Sequence, residues 1–181
     1  MKITQTQLLD VFLMHPEISQ ENGFDVIESF NLDVFHDLID STATFVQDNH
    51  SMSKKGVLRG LHYQVEKTQG KLVQVLKGEV FDVVVDLRQT SKTFGQWVGV
   101  EISSENKKQI WIPKGFAHGF LVLSDEAEFL YKTTDYWHAA SEQCIVWNDK
   151  DIGISWPQID VDYLVSDKDK IGLRWIEAPK F

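Results

Sequence analysis

The sequence predicts an all-β protein, an antiparallel sandwich or barrel of the jelly-roll type with a few short helices. Apolar residues recur with period two in most segments, as they do when successive side chains point to opposite faces of a strand. These segments are short and follow one another at intervals of roughly ten residues, with little helical pattern between them. Such spacing is typical of sandwiches and barrels, and the inward side chains of a barrel can enclose a ligand.

The clearest strand is Glu79–Leu87, where both predicted faces carry apolar residues. One face holds Phe81, Val83, Val85 and Leu87, and the other holds Val80, Asp82, Val84 and Asp86. Lys77 and Gly78 separate this strand from Lys71–Leu76, and glycine reaches positive φ without steric cost, so we predict a tight hairpin there. Further strands are predicted at Thr44–Asn49, Val57–Tyr63, Gln96–Ile102, Gln109–Ile112, Gly119–Leu123 and Glu128–Thr133.

One helix is predicted from about Leu32 to Ile39. Asn31 precedes it as the N-cap, a position where an amide oxygen can accept a hydrogen bond from the first turn. Asp33 lies in that turn, where a negative charge is favourable. The apolar side of the helix consists of Val34, Phe35, Leu38 and Ile39. We expect this side to cover one end of the barrel.

Composition indicates one domain over residues 1–181, with 43% hydrophobic and 25% charged residues. The net charge of −9 disfavours nucleic acid as a partner, because phosphate backbones bind broad basic surfaces. A small anionic ligand stays compatible with this charge, since a local cluster of donors is enough to bind it. The arginines available for such a cluster are Arg59, Arg88 and Arg174.

Cys144 is the only cysteine, so the chain can form no intrachain disulfide and no cysteine-rich zinc site. A reducing compartment suits this composition. The chain contains no run of 18 apolar residues, so we expect no membrane partner and a cytoplasmic location.

The densest group of functional residue types is the predicted strand from Gly56 to Gln64. In a regular strand Arg59 and His62 would point to opposite faces. Both could reach one pocket only if Gly60 marks a bulge or sharp bend. The residues alone equally allow a hydrogen-bonded structural His62 and a surface Arg59.

Two further runs combine polar and aromatic residues. In Trp111–Phe120, proline and glycine form a turn that delivers His118 to the start of a strand, although a structural histidine would fit this turn as well. In Tyr131–Trp137, Tyr131 could donate a proton if its surroundings lowered its pKa from about 10. Trp137 could stack on a base. A plain edge strand accounts for the same residues.

The histidines could instead bind a metal, with His62, His118 and either His50 or a carboxylate as ligands. However, Gln64 occupies the position two residues after His62, so the paired His-x-His ligands of metal-binding cupin barrels are missing. We therefore expect no catalytic metal. The glycine-rich motifs of Rossmann and P-loop nucleotide sites are also absent from the sequence.

Taken together, these runs resemble the dTDP-4-dehydrorhamnose 3,5-epimerase family, whose barrel is a cupin-type jelly roll. The resemblance extends from about Ser29 to Asp169. The segments that carry it are Phe45–Ser51, Gly56–Gln64, Gly70–Val73, Val80–Asp82, Val85–Arg88, Thr93–Gly95, Trp111–Phe120, Ala127–Thr134 and Asp151–Pro157. The family implies epimerisation at C3 and C5 of dTDP-4-dehydro-6-deoxyglucose, without a cofactor, in a homodimer.

The resemblance also implies roles for single residues. His62 matches the base, Asp169 the carboxylate that orients it, and Tyr131 the acid. Lys71 matches the group that stabilises the enolate oxygen. The positions implied to bind the nucleotide sugar are Glu28, Gln47, Asn49, Arg59, Lys71, His118, Trp137, Glu142 and Lys168.

The N-terminal region departs from the family. The family's Asp-x-Arg-Gly-x-Phe stretch is replaced by Ser19–Val26, and Gly23 lies where its nucleotide-binding arginine belongs. A positive charge near the diphosphate is lost. This loss is the one feature that favours a barrel that binds nucleotide sugar without turnover. The other alternative functions are a single-site 3- or 5-epimerase on a related nucleotide sugar and a metal-dependent cupin enzyme.

Overall fold

The computed structural model describes the backbone of residues 1–181 and all side chains except those of Gln20 and Glu21. The strands are β1 (Lys2–Gln5), β2 (Phe12–His15), β3 (Ile18–Glu21), β4 (Phe24–Ile27), β5 (Gln47–Lys54), β6 (Val57–Gln64), β7 (Lys71–Lys77), β8 (Glu79–Asp86), β9 (Trp97–Ser103), β10 (Gln109–Ile112), β11 (Phe116–Val122), β12 (Glu126–Thr133), β13 (Glu142–Cys144) and β14 (Leu164–Val165). The helices are α1 (Leu32–Leu38), α2 (Asp167–Lys170) and a 3₁₀ turn at Ala139–Ser141. Among the described residues, no helix is long and apolar enough to cross a membrane.

Two sheets form the jelly roll, which confirms the predicted all-β, cupin-type fold. The first sheet has the strand order β1-β2-β10-β7-β12-β5, and the second has β13-β6-β11-β8-β9. The short β14 adds to β6 in parallel, whereas the other paired strands are antiparallel. A separate hairpin is formed by β3 and β4.

The main core lies between the two sheets. It joins Val73 and Phe129 of the first sheet to Val80 and Val84 of the second. The opposite face of β8 is also buried, because Val83 and its neighbours pack against the C-terminal segment. Both apolar faces predicted for β8 are therefore confirmed, and side chains at the even-numbered positions of this strand point between the sheets.

The predicted hairpin at Lys77–Gly78 is wrong. Strand β7 pairs with β10 and β12, whereas β8 pairs with β9 and β11, so the two strands belong to different sheets. Gly78 does have a positive φ of 76°, and a Cβ atom there would lie 2.0 Å from the carbonyl oxygen of Glu126. Glycine is thus required at this position because the chain crosses from one sheet to the other through a closely packed region, and not because it forms a hairpin turn.

Most strand limits shift by a few residues from those predicted, while Gln109–Ile112 agrees with β10. Strand β11 starts earlier, at Phe116, because Phe116 and Ala117 pair with Asp86 and Val85 of β8. Six short strands were not predicted, namely β1 to β4, β13 and β14.

Helix α1 confirms its predicted cap. The Asn31 side chain accepts a hydrogen bond of 3.2 Å from the backbone N–H of Val34. Phe35 is buried and contacts Trp111 edge-to-face, with 5.0 Å between ring centroids. Trp111 and Leu72 share this cluster, while Val73 faces the main core, so α1 covers the outer face of the first sheet. The expectation that it closes a barrel end is wrong.

Candidate active site

A polar cavity of about 370 Å³ opens between the two sheets. Its lining draws side chains from β5, β7 and β12 of the first sheet and from β6, β11 and β13 of the second. Among its lining residues are ten of the predicted site residues, Asn49, Arg59, His62, Lys71, His118, Tyr131, Trp137, Glu142, Lys168 and Asp169.

A bulge in β6 places Arg59 and His62 at the same cavity. His62 pairs with His118 of β11, and Arg59 pairs with Phe120, so two steps along β11 correspond to three along β6. The extra residue lies next to Gly60, whose φ is 114°. A Cβ atom at Gly60 would lie 2.6 Å from the Cα of Gly119, so a larger residue would not fit. The bulge that the sequence required for a shared pocket is present.

His62 is held by Asp169. The Nε2 atom of His62 lies 2.7 Å from Oδ1 of Asp169, which is 2% exposed. The second carboxylate oxygen accepts a 3.3 Å hydrogen bond from the backbone N–H of Gly60, and Ser166 accepts one from the backbone N–H of Asp169. Burial alone would raise the pKa of Asp169, but these hydrogen bonds and His62 lower it, so the carboxylate is ionised. With Nε2 engaged, Nδ1 is the nitrogen of His62 left to accept a proton.

His118 forms a second histidine–carboxylate pair. Its Nε2 lies 2.8 Å from Oδ2 of Asp82, and the Asp82 side chain is fully buried. The other oxygen of Asp82 has no hydrogen-bond partner among the described side chains. The His118 ring also stacks on Phe129, with 6.1 Å between centroids. This pair fixes the orientation of His118 in the cavity wall.

Lys71 is the first residue of β7 and is partly buried at the cavity. Burial lowers its pKa to about 8, although the negative charges of Asp82 and Glu142 oppose this shift. The ammonium is therefore easier to deprotonate than that of an ordinary lysine. It supplies a positive charge whose presence depends on pH near neutrality.

Tyr131 enters the cavity from β12, the strand between β5 and β7. Burial raises its pKa and Glu142 adds to the shift, while Arg59 acts in the opposite direction. The sequence suggested that Tyr131 could donate a proton if its surroundings lowered its pKa, and the structure does not meet this condition. The phenol stays protonated at neutral pH and can transfer its proton only to a strongly basic acceptor.

Gln47 lies beside the cavity and not in its lining. Its amide donates a 2.9 Å hydrogen bond to the Asn49 side chain, and its carbonyl accepts one of 3.1 Å from the backbone N–H of Trp137. The Trp137 side chain is 60% exposed, so its ring is free to stack on a ligand. Gln47 thus links Asn49 and Trp137, two of the lining residues.

Charged groups at the cavity are partly paired with one another. Lys168 donates to Glu142, and both line the cavity. Arg88 is bound to Asp86 and Arg174 to Glu177, and both arginines lie outside the lining. Among the described side chains, Arg59 is therefore the one arginine that lines this cavity.

Glu28 is not brought to this site within one chain. It is exposed and lines a different depression with Met1, Glu17 and Val26 near the β3–β4 hairpin. The single chain therefore assembles all predicted site residues except Glu28 in or beside one cavity.

Comparison with known proteins identifies the family. The chain matches the family described as dTDP-4-dehydrorhamnose 3,5-epimerase over residues 5–177. It is 53% identical to the dTDP-4-dehydrorhamnose 3,5-epimerase of Pseudomonas aeruginosa, across 100% of this chain and 99% of that protein. The chain belongs to the dTDP-4-dehydrorhamnose 3,5-epimerase family.

Solved structures of such epimerases share the fold. The 3,5-epimerase of Legionella pneumophila, crystallised with dTDP-4-keto-L-rhamnose, superposes with a TM-score of 0.92 at 51% identity, covering 96% of this chain and 92% of that one. A 3′-monoepimerase of Streptomyces bikiniensis in complex with dTDP-quinovose reaches 0.86 at 28% identity, covering 95% and 87%. The fold is thus common to a double and a single epimerase.

The sequence did not single out several residues of this epimerase cavity. They include Gln64, Gln69, Phe120, Phe129 and Ser166 in the lining. Asp82 was also missed, although a carboxylate on the same strand face as Val80 and Val84 was a usable signal. From the sequence, Gln64 counted against a metal site because a metal-binding cupin has a histidine at that position, and no separate role in the cavity was predicted for it.

The metal ligands considered from the sequence do not converge. His62 and His118 are each bound to a carboxylate, and His50 lies 3.4 Å from Glu128. Among the described residues, the one group of three ligand types found close together is His62, Cys144 and Asp169.

Proposed function

We propose that this chain epimerises C3 and C5 of dTDP-4-dehydro-6-deoxyglucose, giving dTDP-4-dehydrorhamnose, with His62 as base and Tyr131 as acid. One observation carries the assignment of roles: His62 stands on the second sheet and Tyr131 on the first, and both line the same cavity. Inversion of a carbon needs a proton removed from one face and returned to the other. Two facing sheets supply groups on opposite sides.

The chemistry follows from the ketone at C4. Protons at C3 and C5 are acidic because the electron pair left behind spreads onto the ketone oxygen as an enolate. Nδ1 of His62 takes the proton, and the Asp169 carboxylate stabilises the resulting imidazolium. We assign to Lys71, which lines the same cavity, the stabilisation of the enolate oxygen by its positive charge.

Reprotonation completes the inversion. Tyr131 gives its phenolic proton to the carbanion carbon from the opposite face, and the enolate collapses to the ketone. Although burial raises the pKa of Tyr131, a carbanion is basic enough to take this proton. His62 then loses its proton to solvent and Tyr131 regains one, so no cofactor enters the balance.

We assign the remaining lining residues to the nucleotide sugar. Arg59 presents the planar donor fork that suits a diphosphate, with Lys168 nearby. The exposed Trp137 ring is suited to stacking on thymine. The other proposed contacts are Gln47, Asn49, His118 and Glu142.

A homodimer would account for Glu28. The β3–β4 hairpin exposes Phe24 and Val26, which are 57% and 55% exposed, and Glu28 directly follows this hairpin. Exposed apolar side chains of this kind favour burial against another surface. We propose that it packs on a second copy, where Glu28 would reach the partner's nucleotide site.

We further propose that residues 1–181 form one epimerase domain that works in the cytoplasm. The shared core between the two sheets supports one domain. The net charge of −9 gives no support for a nucleic-acid partner.

Deuterium exchange tests the function. The purified protein is incubated with dTDP-4-dehydro-6-deoxyglucose in D₂O, and NMR follows deuterium at C3 and C5. Label at both carbons is the expected result, and His62→Ala should abolish both signals while leaving the fold intact by circular dichroism. Label at one carbon would establish the single-site alternative, which shares this fold in the Streptomyces relative. Near wild-type exchange in His62→Ala would exclude His62 as the base.

A further inference from the structure

Cys144 lies against the His62–Asp169 pair, although nothing in the proposed mechanism uses it. On strand β13 it is the direct cross-strand partner of His62. Its sulfur lies 3.8 Å from Oδ1 of Asp169. One ring nitrogen of His62, the Cys144 sulfur and one Asp169 oxygen all lie within 4.8 Å of one another.

We propose that these three residues bind one thiophilic divalent cation, such as Zn²⁺, and that this binding inhibits the epimerase. Thiolate, imidazole and carboxylate together form a ligand set that suits zinc. Tetrahedral bonds of about 2.0–2.3 Å place ligand atoms roughly 3.3–3.8 Å apart. The widest separation between two of these ligand atoms is at most 4.8 Å, so it must shrink by no more than about 1.5 Å, and the His62–Asp169 contact of 2.7 Å must open by less than that.

The charges and protons of such a site balance. The metal displaces the thiol proton of Cys144 to solvent, and the thiolate and the Asp169 carboxylate neutralise its two positive charges. Without metal the thiol stays protonated, because burial and the Asp169 charge raise the pKa of Cys144 to about 12. Metal binding competes with that proton, so it strengthens as pH rises.

A metal ion bound to either ring nitrogen of His62 prevents this residue from acting as the base. A metal on Nδ1 occupies the nitrogen that would take the substrate proton. A metal on Nε2 displaces the hydrogen bond to Asp169 and leaves the neutral ring's proton on Nδ1. The inhibition, though not the metal binding, rests on the proposed role of His62.

Cobalt tests the site independently of activity. Co²⁺ is titrated into the protein of residues 1–181, and we expect one equivalent per chain with thiolate-to-cobalt charge-transfer absorption in the near ultraviolet. Cys144→Ser and Cys144→Ala should lose this absorption. In parallel, Zn²⁺ should inhibit the wild type, and each variant should need at least about tenfold more Zn²⁺ for half-inhibition, with metal-free activity unchanged.

Two controls define the outcome. Mg²⁺, which prefers oxygen ligands, should not inhibit. His50→Gln removes a histidine–carboxylate contact that does not involve Cys144 and should leave Zn²⁺ inhibition unchanged. Bound Co²⁺ without thiolate absorption, or undiminished Zn²⁺ inhibition in both cysteine variants, would overturn the site. Thiolate absorption without inhibition would support the site and contradict His62 as the base.

Discussion

The carboxylate of Asp169 fixes the ring of His62 across 107 residues of chain, with 2.7 Å between Oδ1 and Nε2. The hydrogen bond from Gly60 to the same carboxylate comes from the bulge that turns Arg59 into the cavity. One local irregularity in β6 therefore sets the positions of the base, its carboxylate partner and the arginine. A change at the His62–Asp169 contact is expected to affect catalysis more than folding.

Asp169→Asn tests the orienting role. The amide retains the size of the side chain but no longer stabilises a positive charge on His62, so we expect kcat to fall by about 10²–10⁴-fold. The KM value should change much less, because Asp169 acts through His62. Steady-state kinetics measure both values. A matched control is Asp167→Asn, which alters an exposed carboxylate on the same short helix and should retain full activity. A change in KM with kcat unaltered would count against the assignment.

Tyr131→Phe separates the two proton transfers. The variant keeps the ring that packs near Phe129 but removes the donor. We expect loss of substrate α-protons to D₂O to continue at a substantial rate, while formation of the inverted sugar falls at least about 10²-fold. NMR follows both processes in one sample. Equal loss of exchange and inversion would show that Tyr131 is not specifically the donor.

Local sequence patterns predicted the positions of the strands better than they predicted which strands pair with each other. The alternation in β8 correctly indicated a strand, and Asn31 correctly indicated the start of α1. Gly78 indicated a break between two strands, but the predicted hairpin was wrong because the chain leaves one sheet for the other there. Partner choice depends on burial across the whole barrel, which no short window of sequence contains.

The same limit applies to the site. Gly60 indicated that Arg59 and His62 could share a pocket, because a bulge changes which face a residue occupies. Asp169 could be assigned only through the family resemblance, since no spacing rule connects residues so far apart in sequence. The Tyr131 environment was not predictable either, because its pKa depends on burial and on charges from other strands.

Lys71 predicts a pH dependence. Its pKa of about 8 means that the stabilising charge is lost as pH rises through about 8, so kcat/KM should decline on the alkaline side there. Stability should respond in the opposite sense, because the unfolded chain, with an ordinary lysine pKa, binds more protons between about 8 and 10.5. This residue's contribution to the free energy of unfolding therefore increases with pH over that range.

Lys71→Arg is the control for this assignment. Arginine keeps its charge over the whole range, so the alkaline decline of kcat/KM should move above about pH 10 even if the maximal rate falls. Rate profiles of the wild type and the variant decide the question. An unchanged decline near pH 8 in the variant would assign that titration to another group.

We expect Asp86→Asn to lower the stability of the protein without lowering its catalytic activity. The fully buried Asp86 accepts hydrogen bonds from Arg88, Ser91 and Thr93 outside the cavity. Burial alone would raise its pKa, but these donors lower it, so its stabilisation is present at neutral pH and lost as pH falls through the lowered value. We expect Asp86→Asn to cost roughly 3–5 kcal/mol in urea unfolding at pH 7, and less in acid. An equal cost at both pH values would contradict the ionised pair.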